Sequence, residues 1–162
     1  MSRPLLDDTT ALRAWRDQTL YRLLLRASRV ETSTTLQRLQ TRGYTDVSTA
    51  DTNLLANLDT AGTTISALGR RAGVTRQAAS QQVAALERAG YVRRQPSPDD
   101  SRAFIVIQTD RGRALLSDAL DIVDELETGY EGLLGGPTLL ALKDALSTLL
   151  SVTDSGGALG PD

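Results

Sequence analysis

Residues 64–109, TISALGRRAGVTRQAASQQVAALERAGYVRRQPSPDDSRAFIVIQT, contain the pattern that decides the fold. The first part indicates two short helices joined by a tight turn, and the second indicates two strands around a polar hairpin. Gly73 stands at the turn, where a glycine adopts positive φ at little steric cost. Thr64 and Thr75 each precede a helical run, and we expect them to be N-caps. This order predicts a helix-turn-helix followed by a β-hairpin wing.

The second helix is expected to reach about Ala89 and to have one apolar and one polar face. Ala79, Val83 and Leu86 form the apolar stripe, and Val74 is expected to pack beneath the turn. In helix-turn-helix proteins the N-terminal end of the second helix reaches base edges in the major groove. The polar residues concentrate at that end: Thr75, Arg76, Gln77, Ser80 and Gln81. An ordinary helix pair with a solvated polar face is the alternative interpretation.

The predicted wing has strands at residues 91–94 and 103–109, the second rich in β-branched residues. Two prolines restrict the loop between them. An arginine at its tip, Arg102, can enter a minor groove, where narrow A·T tracts concentrate negative potential. Asp100 can pair with an arginine and hold the loop. A solvated turn with a weak surface ion pair is the alternative.

The helix-turn-helix leads into three short segments, Leu86-Glu87-Arg88-Ala89-Gly90-Tyr91-Val92, Asp99-Asp100-Ser101-Arg102-Ala103 and Thr109-Asp110-Arg111-Gly112. Together with it they resemble the MarR family of bacterial regulators. The resemblance spans residues 64–112, and chain length and flanking helices fit it from about residue 8 to 152. It implies a mainly α fold with a small β-hairpin wing, in which N- and C-terminal dimerisation helices flank a winged helix-turn-helix DNA-binding lobe.

Carried over by position, the resemblance implies groove-reading residues on the second helix, a wing-tip arginine at Arg102 and a wing-bracing acid at Asp100. Gly69 departs from the family pattern, where alanine is commoner, yet still allows close helix packing. Gln81 replaces a frequent arginine, so base preference does not transfer. The expected DNA-binding residues are Thr64, Thr75, Arg76, Gln77, Ser80, Gln81, Arg94, Asp100 and Arg102.

Composition excludes several classes of site. The chain has 162 residues and neither cysteine nor histidine, which removes disulfides, thiol switches, histidine catalysis and the usual zinc ligands. No apolar run approaches the roughly 20 residues of a membrane span. We therefore expect no cofactor, no metal, no enzymatic activity and no membrane partner, and a cytoplasmic location.

The net charge of −2 conceals an uneven distribution. Residues 66–113 hold nine arginines and four acids, a balance of +5, so the remainder carries −7. A basic block within an acidic chain is typical of a phosphate-binding surface.

The flanking segments predict further helices. The first runs without a break from about Asp8 to Arg42, with Gly43 as its stop, and a capping box beginning at Ser48 opens another that reaches about Thr60. Thr109 caps a helix extending into the 130s, which Gly135-Gly136-Pro137 ends. The expected division is an N-terminal dimerisation helix at 1–46, the DNA-binding lobe at 47–112, C-terminal dimerisation helices at 113–152 and a disordered tail at 153–162.

Long apolar helices at both ends of a small lobe indicate a homodimer, whose paired recognition helices match operator half-sites about 34 Å apart. A monomer that folds its ends onto itself is the alternative. The resemblance also implies a small amphipathic or phenolic effector, bound near Trp15, Tyr21, Tyr44 and Asp51, although each of these residues also fits a packing or capping role.

The predicted function is that of a sequence-specific regulator that binds double-stranded DNA, a ligand-responsive repressor of a palindromic operator. The alternative is a protein-interaction module that uses the winged helix as a docking surface.

Overall fold

The computed structural model describes residues 8–97 and 104–154, with side chains as far as Ser151. The chain divides into two compact units, Met1–Ala119 and Leu120–Asp162. The division into dimerisation helices and a DNA-binding lobe that the sequence predicts is defined by the roles of the segments, and it stays a prediction. In chain order the elements are α1 (Thr9–Asp17), α2 (Leu20–Thr41), α3 (Thr49–Ala56), β1 (Thr63–Thr64), α4 (Ile65–Arg71), α5 (Arg76–Arg88), β2 (Val92–Pro96), β3 (Phe104–Gln108), α6 (Asp110–Leu134) and α7 (Gly136–Asp154).

The prediction of one unbroken N-terminal helix is wrong, because the chain forms two helices, α1 and α2, with a break at Gln18 and Thr19. The Thr19 hydroxyl donates to the Arg16 carbonyl at 2.7 Å and accepts from the Arg22 amide at 3.4 Å. Thr19 is therefore the N-cap of α2. A threonine that satisfies backbone groups in this way competes with helix continuation.

The predicted capping box at the start of α3 is confirmed. The Ser48 hydroxyl accepts from the Asp51 amide at 3.3 Å, and the Asp51 carboxylate accepts from the Ser48 amide at 2.9 Å. The helix ends at Ala56, four residues before the expected Thr60. Beyond it, the Asp59 carboxylate accepts from the Thr63 hydroxyl at 3.1 Å, which ties down the connection.

The wing belongs to a three-stranded antiparallel sheet of order β1-β3-β2, whereas the sequence predicted two strands. β1 has two residues, Thr63 and Thr64, which pair with Val106 and Ile105 of β3. So short a strand has no periodicity from which to be recognised. On the other side β2 is an edge strand, with Arg94 opposite Val106.

The first unit has one apolar core, which holds the two helices of the helix-turn-helix against α3 and the sheet. Tyr91 is fully buried within it although it carries a hydroxyl group. The predicted apolar stripe of α5 enters this core, which confirms which face of that helix is buried. The buried members are Val47, Leu54, Leu55, Leu58, Leu68, Ala79, Val83, Leu86, Tyr91, Val92, Val106 and Leu115.

The second unit contains the C-terminal part of α6 and all of α7. The Lys143 ammonium donates to the Glu127 carboxylate at 2.6 Å. α7 extends to Asp154, two residues into the predicted tail, and the remainder of that tail lies outside the described residues. By length and composition, no single helix in the described part of the chain can cross a membrane; α6 and α7 meet that criterion only as a bent pair.

Candidate nucleic-acid interface

The orientation of α5 is fixed by its cap and its buried stripe. The Thr75 hydroxyl accepts from the Ala78 amide at 3.1 Å, so Thr75 is the predicted N-cap. Ala79 and Val83 are fully buried and Leu86 is 2% exposed. Because these three side chains anchor one face, the opposite face of the helix is held towards solvent.

The solvent face of α5 carries most of the predicted groove-reading residues. Arg76, Gln77 and Gln81 are exposed, and Ser80 is half-buried. Gln77 and Gln81 are four residues apart and project from adjacent turns. A glutamine amide can bond adenine through a donor and an acceptor, and an arginine can do so with guanine through two donors. The face therefore has side chains suited to reading bases in a major groove.

The turn between α4 and α5 brings these helices close together. Gly73 has φ +69°, as a left-handed turn residue requires. A Cβ on Gly69 would lie 3.1 Å from the Val74 carbonyl oxygen and 3.5 Å from Ala79 Cβ, so only a very small residue fits there. The prediction that Val74 packs beneath the turn is wrong, because its side chain is 38% exposed.

Thr64 joins the sheet to the helix-turn-helix. Its hydroxyl accepts from the Ala67 amide at 3.3 Å, which confirms it as the N-cap of α4. Its backbone also pairs with Ile105 in the sheet. The side chain is exposed, so its predicted role as a DNA contact stays open beside the capping role.

At the base of the wing, one predicted DNA-binding residue is already ion-paired. The Glu87 carboxylate accepts from the Arg94 amide at 3.0 Å and lies 3.6 Å from its guanidinium Nε. Arg93, the preceding residue, is exposed, and within residues 8–97 and 104–154 no acid pairs with it. The predicted tip residues Asp100 and Arg102 lie outside the described residues.

The Thr-x-x-Gly segment after the wing has a physical explanation. The Thr109 hydroxyl donates to the Gly90 carbonyl at 2.6 Å and accepts from the Gly112 amide at 3.1 Å. A Cβ on Gly112 would overlap the Tyr91 carbonyl oxygen. Threonine therefore caps α6, as predicted, and glycine lets that helix start against the beginning of the wing.

A buried tyrosine connects the wing to the segment that follows α2. The Tyr91 hydroxyl donates to the Asp46 carboxylate at 2.5 Å and accepts from Arg111 Nη2 at 2.9 Å. Arg111 also pairs with Asp46 at 2.9 Å and lies over the Tyr91 ring. The hydrogen bond from Tyr91 is the main cause that lowers the pKa of Asp46, and burial raises the pKa of Tyr91.

A second cluster lies beside it and joins the segment that follows α2 to α6. The Tyr44 hydroxyl donates to Asp118 Oδ2 at 2.5 Å, and Arg42 Nη1 donates to Asp118 Oδ1 at 2.8 Å. The hydrogen bond to Asp118 raises the pKa of Tyr44 to about 12. Sequence reasoning missed both clusters, because each joins residues from distant parts of the chain that no local pattern relates.

The four candidate effector residues have different surroundings. Asp51 is engaged in the α3 capping box, and Tyr44 donates to Asp118. Trp15 is half-buried, whereas Tyr21 is 71% exposed. Among the described residues no hydrogen bond or ring contact joins these four side chains to one another. Their role as an effector site stays a prediction. The same part of the chain contains no group of acids arranged to hold a metal ion.

Comparison with known proteins gives results for sequence and for fold. Residues 45–103 match the MarR family. No curated protein matches the sequence. Among solved structures, the reduced form of MarR from E. coli has a TM-score of 0.71 at 22% identity, over 82% of this chain and 96% of that chain.

Two further solved structures have the same fold. A mutant of MepR from S. aureus has a TM-score of 0.65 at 22% identity, over 83% of this chain and 98% of that chain. BpsR from Bordetella bronchiseptica, whose DNA binding is regulated by 6-hydroxynicotinic acid, has a TM-score of 0.63 at 18% identity, over 82% of this chain and 94% of that chain. The family match covers most of the winged helix-turn-helix, and the described fold agrees with it. Through residues 45–103 the chain therefore matches the MarR family, and its described part has the winged helix-turn-helix fold of the solved structures.

Proposed function

We propose that this protein is a sequence-specific regulator that binds a palindromic operator in double-stranded DNA as a homodimer and represses transcription until an effector binds. The observation that carries the proposal is the solvent face of α5. Arg76, Gln77 and Gln81 are exposed there on a helix whose other face is anchored in the core. A rigid helix that presents forked hydrogen-bonding groups is suited to base recognition.

The charge distribution supports the same proposal. The segment from residue 66 to 113 has a charge of +5 within a chain of net −2. Binding of cationic side chains to DNA phosphates releases counterions and provides affinity that is independent of sequence. The predicted contacts from Arg94 and Arg102 belong to this electrostatic contribution, which positions the helix that reads the bases.

A row of four leucines on α7, one exposed and three half-buried, supports a dimer. Leu139, Leu142, Leu146 and Leu149 follow one another at three- and four-residue intervals, the spacing of a helix-packing seam. Leu142 is 47% exposed, and no residue of α7 is buried within Gly136–Ser151. Exposed apolar stripes of this kind are unusual in a monomer. A second copy of the chain would cover the seam and would supply a second recognition helix.

Effector response completes the proposal. A ligand weakens operator binding if it favours a dimer in which the spacing of the two DNA-binding lobes does not match the spacing of the half-sites. The loss of operator-binding free energy equals the difference in the ligand's binding free energy between the two states of the dimer. BpsR, which shares the fold, responds to 6-hydroxynicotinic acid. For this chain we expect the effector to be an amphipathic or phenolic compound that binds near Trp15 and Tyr21. A cytoplasmic location and the absence of enzymatic activity belong to the same proposal.

The test is selection of binding sites from a random DNA library by the full chain. The proposal predicts enrichment of an inverted repeat whose half-sites lie about one helical turn apart. Gln77→Ala should change the enriched bases at particular positions. Failure to enrich any sequence, with equal weak binding to all, would favour a protein-docking role for the winged helix.

A further inference from the structure

Glu87 is the one acidic residue between Thr64 and Ser97, a segment with six arginines. It lies in the last turn of α5, about three turns after Arg76 and two after Ser80, and therefore on the same side of the helix as both. Its side chain is 37% exposed. A carboxylate there repels the phosphates that the surrounding arginines attract.

Glu87 makes two separable interactions with Arg94. Its Oε1 accepts from the Arg94 backbone amide at 3.0 Å, and its Oε2 lies 3.6 Å from the guanidinium Nε. The first interaction satisfies an N–H group of edge strand β2 and needs only an acceptor. The second needs a negative charge. A neutral acceptor at this position would therefore keep the backbone bond and lose the ion pair.

Neighbouring arginines are not held in this way. Arg76 and Arg93 are both exposed, and no acid within residues 8–97 and 104–154 pairs with either. The Arg94 side chain is 34% exposed, and its Nε lies 3.6 Å from the Glu87 carboxylate, so a phosphate that approaches this guanidinium meets a positive charge that Glu87 partly offsets. Glu87 thus restrains one of three arginines near the proposed DNA-binding surface.

We infer that Glu87 is a specificity-determining residue that withholds the Arg94 guanidinium from the phosphates of nonspecific DNA. An exposed ion pair is weak, so a phosphate held in position by surrounding contacts can replace it. On a matching operator, α5 and the wing hold such a phosphate next to Arg94. On other DNA they do not, and the pair with Glu87 persists. This inference rests on the proposed function.

The test compares Glu87→Gln with wild type on a random-sequence duplex between 50 and 200 mM salt. Glutamine keeps the acceptor for the Arg94 amide and removes the charge. The salt slope is the slope of log affinity against log salt concentration, and one additional phosphate contact makes it steeper by about 0.9. Between 50 and 200 mM salt, the variant should therefore lose about threefold more affinity than wild type. The affinity ratio between the site selected by wild type and random DNA should fall. Asp144→Asn, the same charge change on α7, is the matched control and should leave the slope unchanged.

A double-mutant cycle isolates the Arg94 contribution. In an Arg94→Ala background, Glu87→Gln should not add the increase of about 0.9 to the salt slope, and any remaining change measures the direct repulsion between Glu87 and the phosphates. An unchanged slope for Glu87→Gln alone, or an equal change in Asp144→Asn, overturns the inference while leaving the proposed function intact. If wild type binds no DNA, the proposed function fails first. If circular dichroism shows that Glu87→Gln does not fold, the Arg94→Ala variant alone tests the inference. This variant should leave the salt slope on random DNA unchanged and should bind the selected site more weakly than wild type. A shallower salt slope on random DNA would overturn the inference.

Discussion

The carbonyl group of Tyr91 lies against Gly112, so closely that a Cβ on this glycine would stand 3.1 Å from the carbonyl carbon and overlap the oxygen. Tyr91 begins the wing and Gly112 lies in the first turn of α6. The contact fixes where the helix leaves the DNA-binding lobe, and the Thr109 hydroxyl bonds of the same junction reinforce it.

Gly112→Ala is expected to destabilise the protein by about 1–3 kcal/mol, because the added methyl group must displace backbone. Gly129→Ala is the matched control in the same helix. No atom lies within 4 Å of a Cβ there, so its effect should be a stabilisation of up to about 1 kcal/mol from helix propensity. Urea unfolding measures both changes. Equal effects at the two glycines would contradict the close contact with Tyr91.

Acid should weaken the connection around Asp46. Its pKa is lowered in the folded state, first by the hydrogen bond from Tyr91, so its contribution to stability is complete above the ordinary value of 3.8 and is lost as pH falls below it. Tyr91→Phe removes the main cause of the shift. The variant should therefore lose less free energy of unfolding than wild type as pH falls through this range. The same acid dependence in both proteins would show that the Tyr91 bond does not govern the titration of Asp46.

Alkali should act on Tyr44, whose pKa is raised from 10.0 to about 12 mainly by its bond to Asp118. A raised pKa contributes stability that is complete below 10.0 and is lost as pH rises through 12. Phenolate absorbance should show a component that titrates near that value, and Tyr44→Phe should remove this component. Asp118→Asn removes the carboxylate and should shift the titration downwards. A titration that stays in place in Asp118→Asn would contradict this cause.

The α7 seam predicts how the dimer can be broken. Leu142→Glu places a charge within the leucine stripe, and we expect monomers by light scattering together with weaker DNA binding. Ala141→Glu adds the same group outside the leucine stripe, about 100° around the helix from Leu142, and should leave the dimer intact. A monomeric wild type at micromolar concentration would exclude the proposed dimer.

Base recognition by α5 is tested with two glutamines of the same helix. Gln77 is exposed, whereas Gln82 is partly buried beside the apolar stripe. Gln77→Ala should alter preference at particular operator positions, by about 1–3 kcal/mol at an affected base pair. Gln82→Ala should leave the preference unchanged. Uniform weakening on every sequence tested would reassign Gln77 to a phosphate contact.

Local features of the fold were predictable from sequence because they depend on local chemistry. The caps at Thr64, Thr75 and Thr109 and the positive φ of Gly73 follow from residues within a few positions. The break at Thr19 was missed because the surrounding apolar residues continue a helical pattern across it. At this position the N-cap formed by the Thr19 side chain ends one helix and starts the next.

Features that depend on distant residues were not predictable. Asp46, Tyr91 and Arg111 come from separate parts of the first unit, and no spacing in the sequence relates them. The restraint of Arg94 by Glu87 was missed for a different reason. The two are seven residues apart, but they face each other only because a turn reverses the chain at Gly90, which has φ +79°.

The central claim is that the solvent face of α5 and the wing read a specific DNA sequence. The most direct test is a salt titration of binding to the DNA upstream of the protein's own gene, against a scrambled duplex of equal length. We predict nanomolar preference for the native fragment, with affinity that falls steeply as salt rises. Equal and weak binding to both duplexes, together with no enrichment from the random library, would contradict the claim.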